Sequence, residues 1–429
     1  MTMAFDKKMY EEVKDEFTLD KETLQEVAAA FRRDLECGVK NPDDSSLRML
    51  KSYVGLPDGS EQGEYLALDF GGTNVRVLRI ALQGKGQFKV LKKVAKPLIV
   101  PGVYDFIGPD SRAEDMFDFI AGLVDEAIEE DHATKYLLGH TFSFPSKQTD
   151  IYNARLIIWT KEFATAGVEG EVVNDLLKAA LQRQGIANVE PVAVINDTVA
   201  VLLAAAYKQP DTYIGSIYAT GHNTCYLEPE LPGAGPMVIN LESGGFSKLL
   251  PNRFDNALDE ASEKLGEQRL EKMVSGRYMG ELFGLAAAAL MGLATKPVFT
   301  SIDMSAMLAD TEPEYQATAG LLQEKTGRQL SAADCALLRD LAAAIVIRSA
   351  RLVTATYAGI LWHLAGKGSM PKNHIAIDGS VYEKMPLAKE NVQKALYDIL
   401  GEDAAQVDTV LECGGSGLGA AIAAAMPRA

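Results

Sequence analysis

Two stretches of this 429-residue chain repeat one design: "YLALDFGGTNVRVLRIAL" at 65–82 and "TYIGSIYATGHNTCYLEP" at 212–229. Each is an apolar run, a short glycine-bearing turn and a second apolar run, which is the pattern of a β-hairpin. The turns align as Gly72-Thr73-Asn74 and Gly221-His222-Asn223. Similar hairpins in separate halves of a chain point to a duplicated α/β core and not to a short-period solenoid. Helical patterns lie at 113–130 and 170–185, and the strand "VEPVAVI" leads into a helix, "DTVAVLLAAAY", with Asp197 near its start. Residues 3–36 and most of 255–363 also have helical patterning. The chain closes with "HIAIDGSVYEKMP" and "VDTVLECGGSGLGAAIAAAM", each a strand entering a glycine turn. Strands alternating with helices favour the α/β class, and duplication predicts two lobes with a cleft between them.

The net charge of −17 argues against nucleic acid or an anionic membrane as partner. A polyanion such as a nucleotide remains possible if local N–H donors, a few basic residues or a metal ion receive it. The longest apolar stretch, "FGLAAAALMGLA" at 283–294, is too short to span a bilayer. The N-terminal residues are charged and amphipathic, unlike a secretory leader. Cys37, Cys225, Cys335 and Cys413 lie far apart with no CxxC spacing, so neither a disulfide framework nor a zinc site is expected. A cytosolic, reduced, soluble protein is the simplest expectation.

Three glycine turns follow expected strands, at 71–74, 219–223 and 414–419. Such turns admit positive φ and bring backbone N–H groups close to a phosphate, although a hairpin alone also explains a glycine. No GxxxxGK[ST] motif is present, which excludes a P-loop. "GSGLGA" at 415–420 matches a dinucleotide fingerprint, but only nine residues follow it, too few for the next strand and its ribose-binding acid. Asp69 ends an apolar strand before a Gly-Gly turn and reads either as a turn cap or as a functional acid. Asp197, inside "VAVINDTVAVLLAAAY", is open between two roles: the N-cap of the following helix, which Asn196 could equally supply, and a functional carboxylate.

"LGHTFSFPSKQTDIYNARLIIWTKEF" at 138–163 resembles the signature of the hexokinase family. "LALDFGGTNVRVL" before it, and "VAVINDTVAVLL", "IYATGHNTCYLE", "VINLESGGFSK", "LGEQRLEKMVSGRYMGELF", "IAIDGSVYEKMP" and "GGSGLGAAIAAA" after it, fall in the family's order. The resemblance covers the chain from about residue 20. It implies a two-lobed actin-like (ribonuclease H-like) sugar kinase fold with a duplicated core and a central cleft. A small lobe would be 63–197 plus 416–429 and a large lobe 1–62 plus 198–415, closing on sugar and ATP. The implied activity is ATP-dependent phosphorylation of a hexose, glucose first, at its 6-hydroxyl, the first step of glycolysis. The competing readings are a kinase for another hexose or an amino sugar, and a sugar-sensing protein without turnover.

By the same resemblance Asp197 would be the catalytic base, with Lys161 beside it in the catalytic set. Ser143, Phe144, Pro145, Thr160, Lys161, Asn196, Asn223, Glu242 and Glu271 would contact the sugar. Asp69 would hold Mg²⁺. Gly71, Gly72, Thr73, Asn74 and Arg76 would line one side of the phosphates and Thr220 and Gly221 the other, while Asp378, Gly379, Ser380, Gly415, Ser416 and Gly417 would enclose the nucleotide. The implied partners are a small hexose and Mg-ATP, with no nucleic acid and no membrane, in a monomer or homodimer. Five positions depart from the family pattern: His140 for phenylalanine, Glu162 for glycine, Ala219 for glycine, Ser243 for tryptophan and Leu418 for a basic residue. Glu162 and Ser243 bear on sugar preference, Ala219 and Leu418 on nucleotide affinity.

Overall fold

The structure, a computed structural model, describes residues 5–129, 131–160 and 162–426. In chain order it opens with α1 (Lys7–Asp15) and α2 (Lys21–Lys40), then strands β1 (Gln62–Phe70), β2 (Asn74–Gly84) and β3 (Gln87–Pro97). Next come α3 (Ala113–Ile128), β4 (Tyr136–Phe142), α4 (Val173–Arg183), β5 (Val189–Ile195) and α5 (Asp197–Lys208). The second hairpin is β6 (Thr212–Tyr218) and β7 (His222–Glu228), followed by β8 (Met237–Asn240). A helical stretch holds α6 (Arg253–Glu260), α7 (Arg269–Val274), α8 (Gly276–Met291), α9 (Ser301–Ala309), α10 (Gln316–Thr326) and α11 (Ala332–Ala365). The chain closes with β9 (Asn373–Asp378), α12 (Ser380–Lys384), α13 (Ala388–Leu400), β10 (Val407–Leu411) and α14 (Gly415–Ala425). Among the described residues no helix is long and apolar enough to cross a membrane. None of the four cysteines is in a disulfide.

Contacts divide the chain into two compact units. The first holds the chain as far as Met49, Ile217–Thr224 and Leu241–Leu411; the second holds Leu50–Ser216, Cys225–Asn240 and the chain from Glu412.

The second unit is built on a five-stranded sheet in the order β5-β4-β1-β2-β3. β1 pairs antiparallel with β2 and parallel with β4, which pairs parallel with β5. Alternation along the strands sends side chains to two faces. One face packs under α3 and α4 through Leu66, Leu68, Leu138, Phe117 and Leu177. The other packs under α5 and α14 through Ala67, Ala193, Leu202, Ala420 and Ile422. The small residues of "GSGLGAAIAAA" have a steric reason. A Cβ on Gly139 of β4 would lie 1.9 Å from the Ala420 carbonyl oxygen, and one on Gly419 2.1 Å from that of Ala200. Backbone meets backbone at both points, so α14 is pressed against sheet and α5 as only glycine allows. Leu418, where a basic residue was expected, is buried in this packing.

In the first unit, the 34-residue α11 is the central element. A capping box of Ser331 and Asp334 starts it, and it packs on α2, α7, α8, α9 and α13. Its Arg348, buried, makes two bonds to Asp255 of α6 (2.8 and 2.7 Å) with Phe17 over the guanidinium. A bidentate, fully desolvated pair like this fixes geometry more than it adds stability. β9 and β10 pair parallel, with Ile377 opposite Leu411.

His140 departs from an otherwise apolar strand face. It is fully buried, lies against Phe70 (6.1 Å) and Phe142 (5.3 Å), and its ring nitrogens have no hydrogen-bond partner among the described residues. Burial pushes its pKa down to about 3, opposed by Asn174. The unfolded chain therefore takes up a proton near pH 6.5 while the folded chain does not, and stability falls as pH drops below that value toward 3. The substitution H140F removes this term. Between pH 7 and 5 its melting temperature should fall less steeply than wild type's, a difference on the order of 2 kcal/mol at pH 5; parallel curves would contradict the assignment. Gly419→Ala should lower stability by about 3 kcal/mol, since a Cβ against a backbone oxygen cannot rotate away. Gly122→Ala, on α3 where an added Cβ would meet nothing nearer than 3.8 Å, should be neutral or slightly stabilising when both variants are compared by urea titration.

Candidate active site

In the second unit, strand register does the gathering. Asp69 stands opposite Thr141, and Thr141 opposite Ile195, across the parallel strands β1, β4 and β5. The segments leaving the carboxyl ends of these strands are Gly71–Asn74, Ser143–Pro145 and Asn196–Asp197, so all three emerge on one edge of one sheet. Ligands of open α/β sheets bind at such an edge. Two strand spacings separate Asp69 from Ile195, about 10 Å. Thr141 Oγ1 donates to the Ser416 carbonyl (2.8 Å), which brings the start of α14 to the same edge.

Each carboxylate there is restrained. Asp69 accepts from Arg76 directly opposite it on β2 (3.2 Å). Asn196 is the N-cap of α5, with its Oδ1 accepting the Thr198 N–H (2.9 Å) and the Thr198 hydroxyl. Asp197 is the first helical residue, and its Oδ1 takes the same N–H (2.8 Å). Of the two capping candidates, then, Asn196 is the cap, and Asp197 sits in the first turn, where the helix dipole favours a negative charge. The thiol of Cys225 donates to the Thr198 carbonyl (3.1 Å) and steadies this turn from inside.

The Ser143–Pro145 loop rests on an aromatic cluster of Phe70, Phe142, Phe144, Trp159 and Phe163. Phe144 meets Trp159 edge-on at 4.8 Å. The Phe144 ring is buried, Ser143 and Thr160 are half-buried, and Pro145 and Glu162 are exposed. A Cβ on Gly71 would lie 2.9 Å from Ser143 Oγ, so the first glycine turn lies directly against this serine. Lys161 lies outside the described residues.

In the first unit, the turn joining β6 to β7 is held from three sides. Backbone N–H groups of Gly276 and Arg277, at the start of α8, donate to the carbonyls of Ala219 (2.9 Å) and Thr220 (3.0 Å). Gly379, at φ 133°, would place a Cβ 2.4 Å from the Tyr218 carbonyl oxygen, so the Asp378-Gly379-Ser380 turn presses on the hairpin. Glu271 accepts the His222 N–H through Oε2 (3.0 Å). Burial raises the Glu271 pKa, and the His222 N–H and neighbouring Lys272 oppose that rise. Asn223 donates to Glu242 Oε1 (3.1 Å) and accepts the Ser243 N–H (3.2 Å). Thr220, Gly221, Asn223, Glu242, Glu271 and the 378–380 turn thus form one connected assembly.

Three features of this assembly escaped the sequence reading. The α8 N-terminus clamps the hairpin, yet "SGRYMG" carries no side-chain signal for it. Lys272, buried, binds Asp259 (2.6 Å) and the Lys264 carbonyl (2.6 Å), anchoring the segment that bears Glu271. Lys272 belongs to the matched "EKM" block, which was the available hint. His222 packs its ring between the Ile217 carbonyl and Ser243.

Two family models, each described as Hexokinase, match the chain, one over residues 9–207 and the other over 213–426. Hexokinase-1 of Oryza sativa subsp. japonica is 36% identical, with 99% of this chain and 91% of that protein covered. Hexokinase-1 of Schizosaccharomyces pombe is 34% identical over 97% of this chain and 90% of its own length. Among solved structures, a hexokinase crystal structure superposes with a TM-score of 0.87 at 34% identity, covering 97% of this chain and 98% of that one. The Schistosoma mansoni hexokinase, solved with glucose, gives 0.81 at 29% identity, covering 97% and 99%. The α/β architecture expected from the alternating strands and helices is that of these enzymes, and the chain belongs to the hexokinase family.

Proposed function

We propose that this protein transfers the γ-phosphoryl group of Mg-ATP to the 6-hydroxyl of a hexose, with glucose as the preferred acceptor, giving a hexose 6-phosphate for glycolysis. The observation that carries this reading is the register that brings Asp69, Ser143 and the Asn196-Asp197 pair to one sheet edge.

Asp197 is the base. With Oδ1 fixed by the Thr198 amide, Oδ2 is the oxygen assigned to the substrate proton. As the 6-oxygen bonds to the γ-phosphorus, its proton passes to Asp197, the bond between that phosphorus and the bridging oxygen breaks, and ADP leaves. Asn196 is occupied in holding the helix start and offers its remaining amide donors to the sugar. Ser143, Thr160, Lys161, Asn223, Glu242 and Glu271 supply further donors and acceptors for hydroxyls, while Phe144 and Pro145 shape the loop. Asp69 suits a magnesium ion that arrives with the nucleotide, because Mg²⁺ takes one or two carboxylates, waters and phosphate oxygens and needs no protein cage. The turn Gly71–Asn74, Arg76, Thr220–Gly221, the 378–380 turn and Gly415–Gly417 receive the nucleotide. The lobes assigned to these roles are 63–197 plus 416–429 and 1–62 plus 198–415, in a cytoplasmic enzyme that works as monomer or homodimer.

ADP release should be measured with glucose, fructose, mannose and N-acetylated hexoses, for wild type and Asp197→Ala. Turnover in the variant should fall roughly 10²–10⁴-fold, with glucose binding by calorimetry kept within a few-fold. Unchanged turnover would overturn the mechanism. A wild type that binds sugar but releases no ADP with any of them would favour a sugar sensor instead.

A further inference from the structure

A buried polar chain in the first unit is unused by the roles assigned so far. It runs from the Ile217 carbonyl through His222 to Ser243 and Thr224. His222 is 3% exposed and the two hydroxyl residues are fully buried. His222 Nδ1 lies 3.1 Å from the Ile217 carbonyl oxygen. A carbonyl only accepts, so Nδ1 carries the ring proton. Burial pushes the imidazole pKa down to about 4, so the ring is neutral near pH 7 and Nε2 is a lone-pair acceptor. Ser243 Oγ lies 3.4 Å from Nε2 and 3.1 Å from Thr224 Oγ1. The single Ser243 proton is therefore shared between two acceptors, Thr224 Oγ1 and His222 Nε2.

The residue before Ser243 is Glu242, which has φ 52° and ψ 50°. A glutamate in the left-handed region is strained and persists only where its surroundings hold it. Three hydrogen bonds hold it here. Ser243 is bound by its side chain to His222 and by its N–H to Asn223, and Asn223 binds the Glu242 carboxylate. The backbone N–H of His222 meanwhile binds Glu271. One histidine therefore touches the supports of both carboxylates assigned to the sugar.

We propose that His222 is a positioning residue for hexose recognition: through Ser243, its neutral imidazole keeps Glu242 in its left-handed backbone conformation and so sets where Glu242 and Asn223 meet the sugar hydroxyls. This rests on the assignment of Glu242 and Asn223 to the hexose. A phenylalanine at 222 fills the ring's space and removes one of the two acceptors of the Ser243 hydroxyl, leaving only Thr224 Oγ1. A glutamine restores an acceptor, since its Oε1 can take the Ser243 proton.

The test uses the full chain and four variants: H222F, H222Q, S243A and the double variant H222F/S243A. Glucose affinity is measured by calorimetry, KM for glucose and for ATP by ADP release, and folding by thermal melting. H222F and S243A should each weaken glucose binding and raise glucose KM about tenfold, the scale of one buried hydrogen bond, while kcat and ATP KM stay within twofold. H222Q should recover most of the loss, and the double variant should be no worse than either single one. Should H222F not fold, S243A and H222Q carry the comparison. Wild-type glucose affinity in H222F and S243A overturns the proposal. So do losses that move glucose KM, ATP KM and kcat together without rescue by glutamine, because a purely structural role predicts them. A wild type that binds no hexose at all is a different result: it overturns the kinase reading, and the positioning role falls with it.

Discussion

The contact of α14 with β4 and α5, where Gly139 and Gly419 let backbone touch backbone, is the constraint on which the second unit depends. A side chain at Gly139 would push α14 away from the sheet, and one at Gly419 would push it away from α5. The displacement would also reach the sheet edge that carries Asp69 and Asn196-Asp197, because Ser416, three residues before Gly419, accepts the Thr141 hydroxyl at the end of β4. Close packing behind the sheet is thereby converted into placement in front of it. The N-termini of α5 and α14 are held at the strand ends, where Asn196-Asp197 and Gly415–Gly417 are carried. Dispersion contacts between backbones are individually weak, but their geometry is steep: half an ångström decides whether a helix docks.

The first unit reaches a similar end with buried polar groups. Arg348 with Asp255, Lys272 with Asp259, and Tyr218 with Ser349 (2.5 Å) tie α6, α7 and the hairpin to one another and to α11. None of these is efficient as a source of stability, since desolvation offsets most of the attraction. Their contribution is direction. A salt bridge with two defined hydrogen bonds has one good geometry, whereas an apolar contact of similar size has many. The segments bearing Glu271 and Glu242 are short loops and single turns, which apolar packing alone holds loosely.

Much of this organisation was legible in the sequence because it is local. The two hairpins, the helix after "VAVI" and the strands before the final glycine turns are written in periodicity and turn chemistry over stretches of ten to twenty residues. The hexokinase resemblance followed from blocks in order. What could not be read was side-chain partnership over long separations: Thr141 with Ser416, Lys272 with Asp259, His222 with Ser243. The cap at α5 was open between Asn196 and Asp197 because one residue of helix boundary decides it, and boundaries depend on which oxygen reaches the Thr198 amide. His140 and Ser243 were visible as departures from the family pattern. Their meaning required burial: one is a ring in an aromatic cluster with no hydrogen-bond partner among the described residues, the other a hydroxyl facing an imidazole.

The acidity of the chain raises the remaining question of how a protein of net charge −17 receives a nucleotide polyphosphate. Distant surface charge matters little at physiological salt, where the screening length is about 8 Å. What matters is the local field. At the sheet edge of the second unit, α14 follows its N-cap Gly414, which is in the left-handed conformation and has no side chain to cap the first N–H groups. Uncapped helix starts carry partial positive charge and open donors suited to phosphate. Arg76 adds a full charge, half exposed and already oriented by Asp69. The turn Gly71–Asn74 adds backbone that no bulky side chain shields. α5 differs: its start is capped by Asn196 and its first residue is Asp197, whose carboxylate disfavours a phosphate there. The two helix ends on this edge thus differ in charge, and the proposed roles, phosphate at α14 and base at Asp197, follow that difference.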